Sequence, residues 1–207
     1  MLNKAALAAL AMPALLFFGT VADHHPAAPA AFVVAPAGNE IRYRVREQLA
    51  GFDLPNDAIG RASTVTGSIA FDAAGKLVPA DSKIIADVTQ LVSDRTRRDG
   101  YIRSRVLETE QFPTVTLAAT SVRDLGWPLP ATGSRTFELI GDLTVHGTTR
   151  PTTWHVTAAF ANGEVTGTAK TAFTFADFSL TQPRVPIVLS VADTIGLEYD
   201  FHLVPKP

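Results

Sequence analysis

From Glu40 onward, apolar and polar residues alternate with a period of two through most of the chain, the repeat of a strand with one buried and one wet face. Ile41, Tyr43 and Val45 alternate with Arg42, Arg44 and Arg46, so one face is apolar and the other carries three cations. Val65, Gly67, Ile69 and Phe71 repeat the pattern, and a turn at Asp72-Ala73-Ala74-Gly75 leads to a strand around Ser82 to Val88. Thr114 to Val122 follows the same rule, as do Phe137, Leu139, Gly141, Leu143 and Val145 after the Pro- and Gly-marked loop Gly126 to Gly133. Thr152 to Phe160 and Glu164 to Phe175 are joined by Asn162-Gly163, the dipeptide that best tolerates a type I′ hairpin turn. Leu197, Tyr199, Phe201 and Leu203 close a series of about eight strands.

One segment breaks the alternation. Between Ser93 and Glu108 five arginines, with Asp94 and Asp99, surround an apolar stripe of Ile102, Val106 and Leu107. Ser93 is a reasonable N-cap and Asp99 to Arg103 an i, i+4 pair, while Gly100 weakens a helix by about 1 kcal/mol. The spacing predicts a short helix packed across one end of the sheet.

Eight alternating strands leave two unprotected edges unless the sheet closes, so the fold expected is all-β, an eight-stranded antiparallel barrel with one short helix across an end. Such a barrel either fills its interior with side chains or encloses one small ligand. Aromatic residues are available for either: Tyr43, Phe71, Phe137, Trp154, Phe160, Phe173, Phe175, Tyr199 and Phe201. Glycines on otherwise apolar faces, Gly67, Gly141 and Gly167, favour a curved barrel with room inside.

The start of the chain reads differently. Lys4, the uncharged run Ala5 to Phe18 and the small residues Thr20-Val21-Ala22 have the layout of a secretory signal over residues 1–22. An uncleaved anchor is the alternative, and Pro13 within a weakly apolar run argues for cleavage. The Ala- and Pro-rich stretch 23–39 reads as a flexible lead into a single domain over 40–204, in a protein placed in the periplasm or secreted. Removing the signal leaves about 185 residues, the size of one domain.

Catalytic groupings are scarce. The chain has no cysteine, which excludes thiolate catalysis, disulfides and zinc–thiolate sites. It has no nucleophile elbow, paired-His zinc helix or phosphate-binding loop. His146, His155 and His202 sit at polar strand positions or beside a turn, where solvated histidines are the ordinary case, and Glu138, Asp142, Glu198 and Asp200 alternate outward. If cleavage follows Ala22, the new terminus Asp23-His24-His25 has the donors of a square-planar Cu(II) or Ni(II) site; a plain polar tail is the simpler reading. With 18 Lys plus Arg against 20 Asp plus Glu, nothing calls for nucleic acid or an anionic surface.

Arg98-Asp99-Gly100-Tyr101-Ile102-Arg103-Ser104, followed by Leu107 and Gln111-Phe112-Pro113-Thr114-Val115, resembles the helix and following strand of the YceI-like family. Gly141 to Pro151, Val65 to Asp72 and Phe173 to Phe178 resemble its other motifs, and the likeness covers about Glu40 to Val204. The resemblance implies an exported, lipocalin-like barrel whose cavity holds a polyisoprenoid or similar lipid, sometimes as a homodimer, with no enzymatic activity and no further cofactor. It places Arg98, Asp99 and Arg103 at the cavity end; Tyr101 and Ile102 stand where His and Leu are common, which leaves the head group open.

The function expected is therefore a non-enzymatic carrier of a quinone- or polyprenyl-type lipid. Its site residues would be Tyr43, Phe71, Arg98, Arg103, Phe112, Leu143, Trp154, Phe173, Phe175, Tyr199 and Phe201, with no metal. The arginine helix has two readings, a solvated face with internal ion pairs or a cationic lid for a polar head. The competing functions are an envelope interaction module with a filled barrel and, last, a hydrolase or isomerase built on His146 and Asp142.

Overall fold

The structure, a computed structural model, describes residues 28–207. The export segment expected over 1–22 and the Asp23-His24-His25 site lie outside the described residues. Among the described residues ten strands form one antiparallel sheet: β1 (Ala30–Val34), β2 (Glu40–Leu49), β3 (Asn56–Ala62), β4 (Val65–Phe71), β5 (Lys83–Asp87), β6 (Thr114–Arg123), β7 (Gly133–Val145), β8 (Thr148–Ala161), β9 (Glu164–Thr174) and β10 (Val188–Pro205). The sheet runs β1-β4-β5-β6-β7-β8-β9-β10, and pairing of β1 with β10 closes these eight strands into a barrel.

β10 makes closure possible because it is long enough for two partners on one edge. Leu203 to Pro205 pair with β1, while Val188 to Asp200 pair with β2, which carries β3 on its far side. Between β1 and β2 the chain steps across this edge, held by Asn39. Its Nδ2 donates to the Ala35 carbonyl at 2.9 Å, and its Oδ1 accepts from the Tyr199 hydroxyl at 2.8 Å and from the His202 backbone N–H at 3.0 Å. Asn39 is buried, so these bonds meet the demand of burying a polar side chain.

One expectation is corrected here. The described part of the flexible lead expected over 23–39 contains β1, in register with Phe71 to Ser68 on one side and Pro205 to Leu203 on the other. Its order comes from backbone pairing, which an Ala/Pro-rich composition does not reveal. β3 follows β2 and buries the small residues Ala58, Gly60 and Ala62. The strand glycines have a further role. A Cβ at Gly67, Gly141 or Gly167 would lie 2.0, 2.6 or 2.2 Å from a neighbouring strand's carbonyl oxygen, so these positions allow close strand approach.

The helix α1 (Thr96–Tyr101) continues into a π-helical turn over Ile102–Val106. The expected Ser93 cap and Asp99–Arg103 pair are replaced by another arrangement. Asp99 is buried and accepts from the Ser93 backbone N–H at 2.8 Å and the Ser93 hydroxyl at 2.5 Å, while Arg103 donates to the Leu91 carbonyl at 2.7 Å. A reciprocal backbone bridge between Arg61 and Val92 ties the segment before the helix to β3. Ile102, Val106 and Leu107 thus face into one end of the barrel.

Candidate ligand-binding site

The inward faces of the strands are apolar along the whole barrel, yet they do not fill it. At the helix end a cavity of about 90 Å³ is lined by Ile41, Tyr43, Val45, Ile102, Val106, Leu107, Val115, Val145, Phe173, Phe175, Ile195 and Leu197, among others. At the opposite, loop end a second cavity of about 80 Å³ is lined by Phe32, Ile69, Phe71, Leu125, Leu129, Trp154, Val156, Phe160, Val165, Ala169, Tyr199 and Phe201, among others. One water needs roughly 10–15 Å³ on this measure, so each cavity has room for several methyl-sized groups.

The cavities are stacked along the barrel. Leu197 lines one and Tyr199 the other, and these are successive inward residues of β10, about 7 Å apart along the strand. Val115 and Leu117 divide in the same way on β6. Leu143, 1% exposed, falls between Leu139 at the loop end and Val145 at the helix end. The polar side-chain groups of this lining are the Tyr43 and Tyr199 hydroxyls and the Trp154 indole N–H. Tyr199 is satisfied by Asn39, whereas the buried Tyr43 hydroxyl has no hydrogen-bond partner among the described residues. Burial pushes the Tyr43 hydroxyl up to about 12, so it remains a protonated donor.

Of the site residues expected from sequence, Tyr43, Phe173 and Phe175 line the helix-end cavity; Phe71, Trp154, Tyr199 and Phe201 line the loop-end cavity. Trp154 is 2% exposed and its indole N–H donates to Thr152 Oγ1 at 3.0 Å, which fixes the ring. Phe112 lies elsewhere: its ring packs edge-on to His146, with centroids 4.6 Å apart, and against Gly147.

Arg98 is at the helix end but does not present a free charge to the interior. It is ion-paired with Glu47, which points inward from β2, and with Asp94. Glu47 and Asn39 were not singled out by sequence reading. The period that places Ile41, Tyr43 and Val45 inward also places Glu47 there, and that signal was available.

The histidines stay apart. His146 contacts Glu108 at 2.6 Å, His202 contacts Glu164 at 2.7 Å, and His155 lies 3.8 Å from Glu138. Among the described residues no cluster of three or more His, Cys, Asp or Glu could hold a metal ion, and no helix is long and apolar enough to cross a membrane.

A model of the YceI-like domain matches residues 32–203, nearly the whole described chain. The chain belongs to the YceI-like family. Relatives include a UPF0312 protein of Pseudomonas fluorescens, 36% identical over 101 residues, 47% of this chain and 46% of that protein. Another, from Vibrio vulnificus, is 30% identical over 95 residues, 45% of this chain and 46% of its own. The chain thus spans about half the length of the curated relatives it matches. Among solved structures, a polyisoprenoid binding domain from Saccharophagus degradans implicated in plant cell wall breakdown superposes with a TM-score of 0.63 at 12% identity, covering 86% of this chain and 99% of that one. BcnA of Burkholderia cenocepacia superposes at 0.58 with 18% identity, covering 82% and 98%. At these identities the likeness shows the fold, an eight-stranded YceI-like barrel.

Proposed function

We propose that this protein is a non-enzymatic carrier that holds one long-chain isoprenoid or similar amphipathic lipid in the barrel, and that it does so in the periplasm or outside the cell. The observation that carries this reading is the pair of apolar cavities stacked along the barrel, both lined by branched and aromatic side chains. Apolar cavities that water does not occupy favourably are natural receptors for hydrocarbon, and burial contributes about 25 cal/mol per Å² of apolar surface. Membership of the YceI-like family and the likeness to a domain described as polyisoprenoid binding support the same class of ligand.

Mass spectrometry of an organic extract from protein purified from a bacterial host tests the proposal. The expected result is one long-chain isoprenoid per protein chain. A protein that yields no lipid and binds no added isoprenoid contradicts it.

A second reading, an interaction module, has one observation in its favour. Phe52, Leu54, Ile187 and Leu189 are more than half exposed, and the Ala50 N–H to Ile187 carbonyl bond brings their two segments together. Exposed apolar patches often mark contact surfaces. Sedimentation of the wild type and of Phe52→Ser/Leu54→Ser separates the readings: loss of a dimer with lipid binding intact assigns this patch to self-association.

A further inference from the structure

We infer that the rim at the helix end of the barrel docks on an anionic lipid bilayer, its apolar side chains entering the interface and its arginines meeting lipid phosphates, whatever the barrel holds. Among the described residues five large apolar side chains are exposed: Phe52 at 54%, Leu54 at 78%, Val92 at 52%, Ile187 at 54% and Leu189 at 65%. They come from three segments far apart in sequence, and the fold gathers them. The Ala50 N–H donates to the Ile187 carbonyl at 2.9 Å, which joins the first segment to the third. Val92 exchanges backbone bonds with Arg61 of β3, and the Arg95 guanidinium lies over the Phe52 ring, 5.7 Å from its centroid, which sets the second segment beside the first. Single exposed apolar residues are ordinary, whereas a gathered set marks a surface that something covers.

The charge around this patch selects the partner. Arg97 and Arg105, in the helical segment, and Arg184, three residues before Ile187, are exposed, and their side chains make no ion pair or hydrogen bond among the described residues. Of the exposed carboxylates in residues 50–57, 92–105 and 184–189, Asp57 is bound by Arg44 and Arg46, and Asp94 by Arg98 and Arg95, which leaves Asp53. Asp99 is buried and accepts from Ser93. Three unpaired cations thus stand against one unpaired carboxylate at this rim, a local surplus hidden by the near balance of 18 Lys plus Arg and 20 Asp plus Glu.

Apolar tips beside unpaired arginines are the two parts of an interfacial anchor. The apolar groups enter the headgroup boundary, and each cation held near an anionic leaflet strengthens binding about fivefold. The guanidinium fork also matches phosphate oxygens. A second copy of the chain fits this surface less well. A two-fold contact of the patch on itself would set Arg97, Arg105 and Arg184 against their own copies, and like charges repel. Five apolar side chains are also few beside the roughly 20–30 residues a side of a stable protein interface. Docking at this rim would bring the helix-end cavity, lined by Leu91 next to Val92, against the bilayer.

The test is flotation of the exported protein, made in a bacterial host, with isoprenoid-free vesicles of phosphatidylcholine alone or of phosphatidylcholine mixed with phosphatidylglycerol. Binding is expected to be at least about tenfold tighter to the mixed vesicles and to be reversed by high salt. Leu54→Ser/Leu189→Ser and Arg97→Gln/Arg105→Gln are each expected to weaken it about tenfold or more at an unchanged melting temperature. Lys76→Gln/Arg135→Gln removes two exposed cations at the loop end, where Gly75 touches Trp127 and Arg135 pairs with Ala158, and should leave affinity within about twofold. Wild-type protein that ignores the mixed vesicles, or floats equally with both compositions, overturns the inference without any variant. So does a loop-end variant that loses as much as Arg97→Gln/Arg105→Gln, or a Leu54→Ser/Leu189→Ser variant with wild-type affinity. A wild-type dimer that ignores vesicles and dissociates in Leu54→Ser/Leu189→Ser gives the patch to a second copy instead. Because the vesicles carry no isoprenoid, docking can fail while the barrel still binds lipid, and an empty barrel leaves docking standing.

Discussion

Arg98 on the helix and Glu47 on β2 form an ion pair across the end of the barrel, with side chains only 12% and 7% exposed. Removing one partner of a buried pair leaves an uncompensated charge, which costs about 3–5 kcal/mol, whereas replacing both by apolar residues of similar size is far less costly. In urea unfolding, Glu47→Leu is expected to lose stability in that range and Glu47→Leu/Arg98→Met to regain most of it. Equal losses in the single and double variants would mean that the two side chains are not coupled.

Two glycines should respond in opposite directions. Gly67 has φ +136°, and a Cβ there would lie 2.0 Å from the Lys83 carbonyl oxygen, so Gly67→Ala is expected to destabilise by about 3 kcal/mol. Gly100 lies within α1 with nothing within 4 Å of an added Cβ, so Gly100→Ala should stabilise by about 0.5–1 kcal/mol. Thermal unfolding of the two variants checks both signs.

Acid should weaken the fold through the outer face of β2 and β10. Arg42 donates to Asp200 Oδ2 at 2.6 Å, and this bond holds the Asp200 carboxyl below the usual range, helped by Thr168, whose hydroxyl donates at 2.9 Å. Asp57 is also lowered, by its hydrogen bonds from Arg46 and Arg44. A depressed carboxylate contributes stability above its unfolded value, near pH 4, and the contribution is lost as pH falls through the lower folded value. Stability should therefore decline below about pH 4. Asp200→Asn should be less stable at neutral pH and lose less between neutral and strongly acid conditions. An unchanged acid loss in Asp200→Asn would remove Asp200 from this explanation.

The barrel is legible in sequence wherever one strand face is wet and the other dry. Arg42 and Arg44 outside, with Ile41, Tyr43 and Val45 inside, announce β2 by composition alone. β1 and β3 escape that rule for different reasons. The order of β1 comes from backbone pairing to β4 and β10, and β3 turns small residues inward because the Tyr43 ring occupies the space above Gly60. The aromatic lining was readable from alternation, and seven of the eight aromatic site residues expected do line the two cavities. Phe112 packs on His146, a partner that residue type does not reveal. For Arg98 the charge is visible in the sequence, but its pairing with Glu47, 51 residues away, is a property of the closed barrel.

Ala169 lines the loop-end cavity, where Ala169→Phe would fill space that a long ligand needs, at an overpacking cost of about 1–3 kcal/mol. A short-chain isoprenoid confined to the helix end should bind this variant and the wild type alike. A long-chain one should lose in the variant the affinity it gains from its extra length.

The most direct measurement follows Trp154, which lines the loop-end cavity, by its fluorescence in a Trp127→Phe background during titration with short- and long-chain prenyl quinones. If one chain occupies both cavities, the long ligand changes Trp154 emission, saturates at one per protein and binds more tightly than the short one, which leaves the emission unchanged. Equal affinities for the two lengths, with Trp154 silent to both, would contradict a lipid tail running through the barrel.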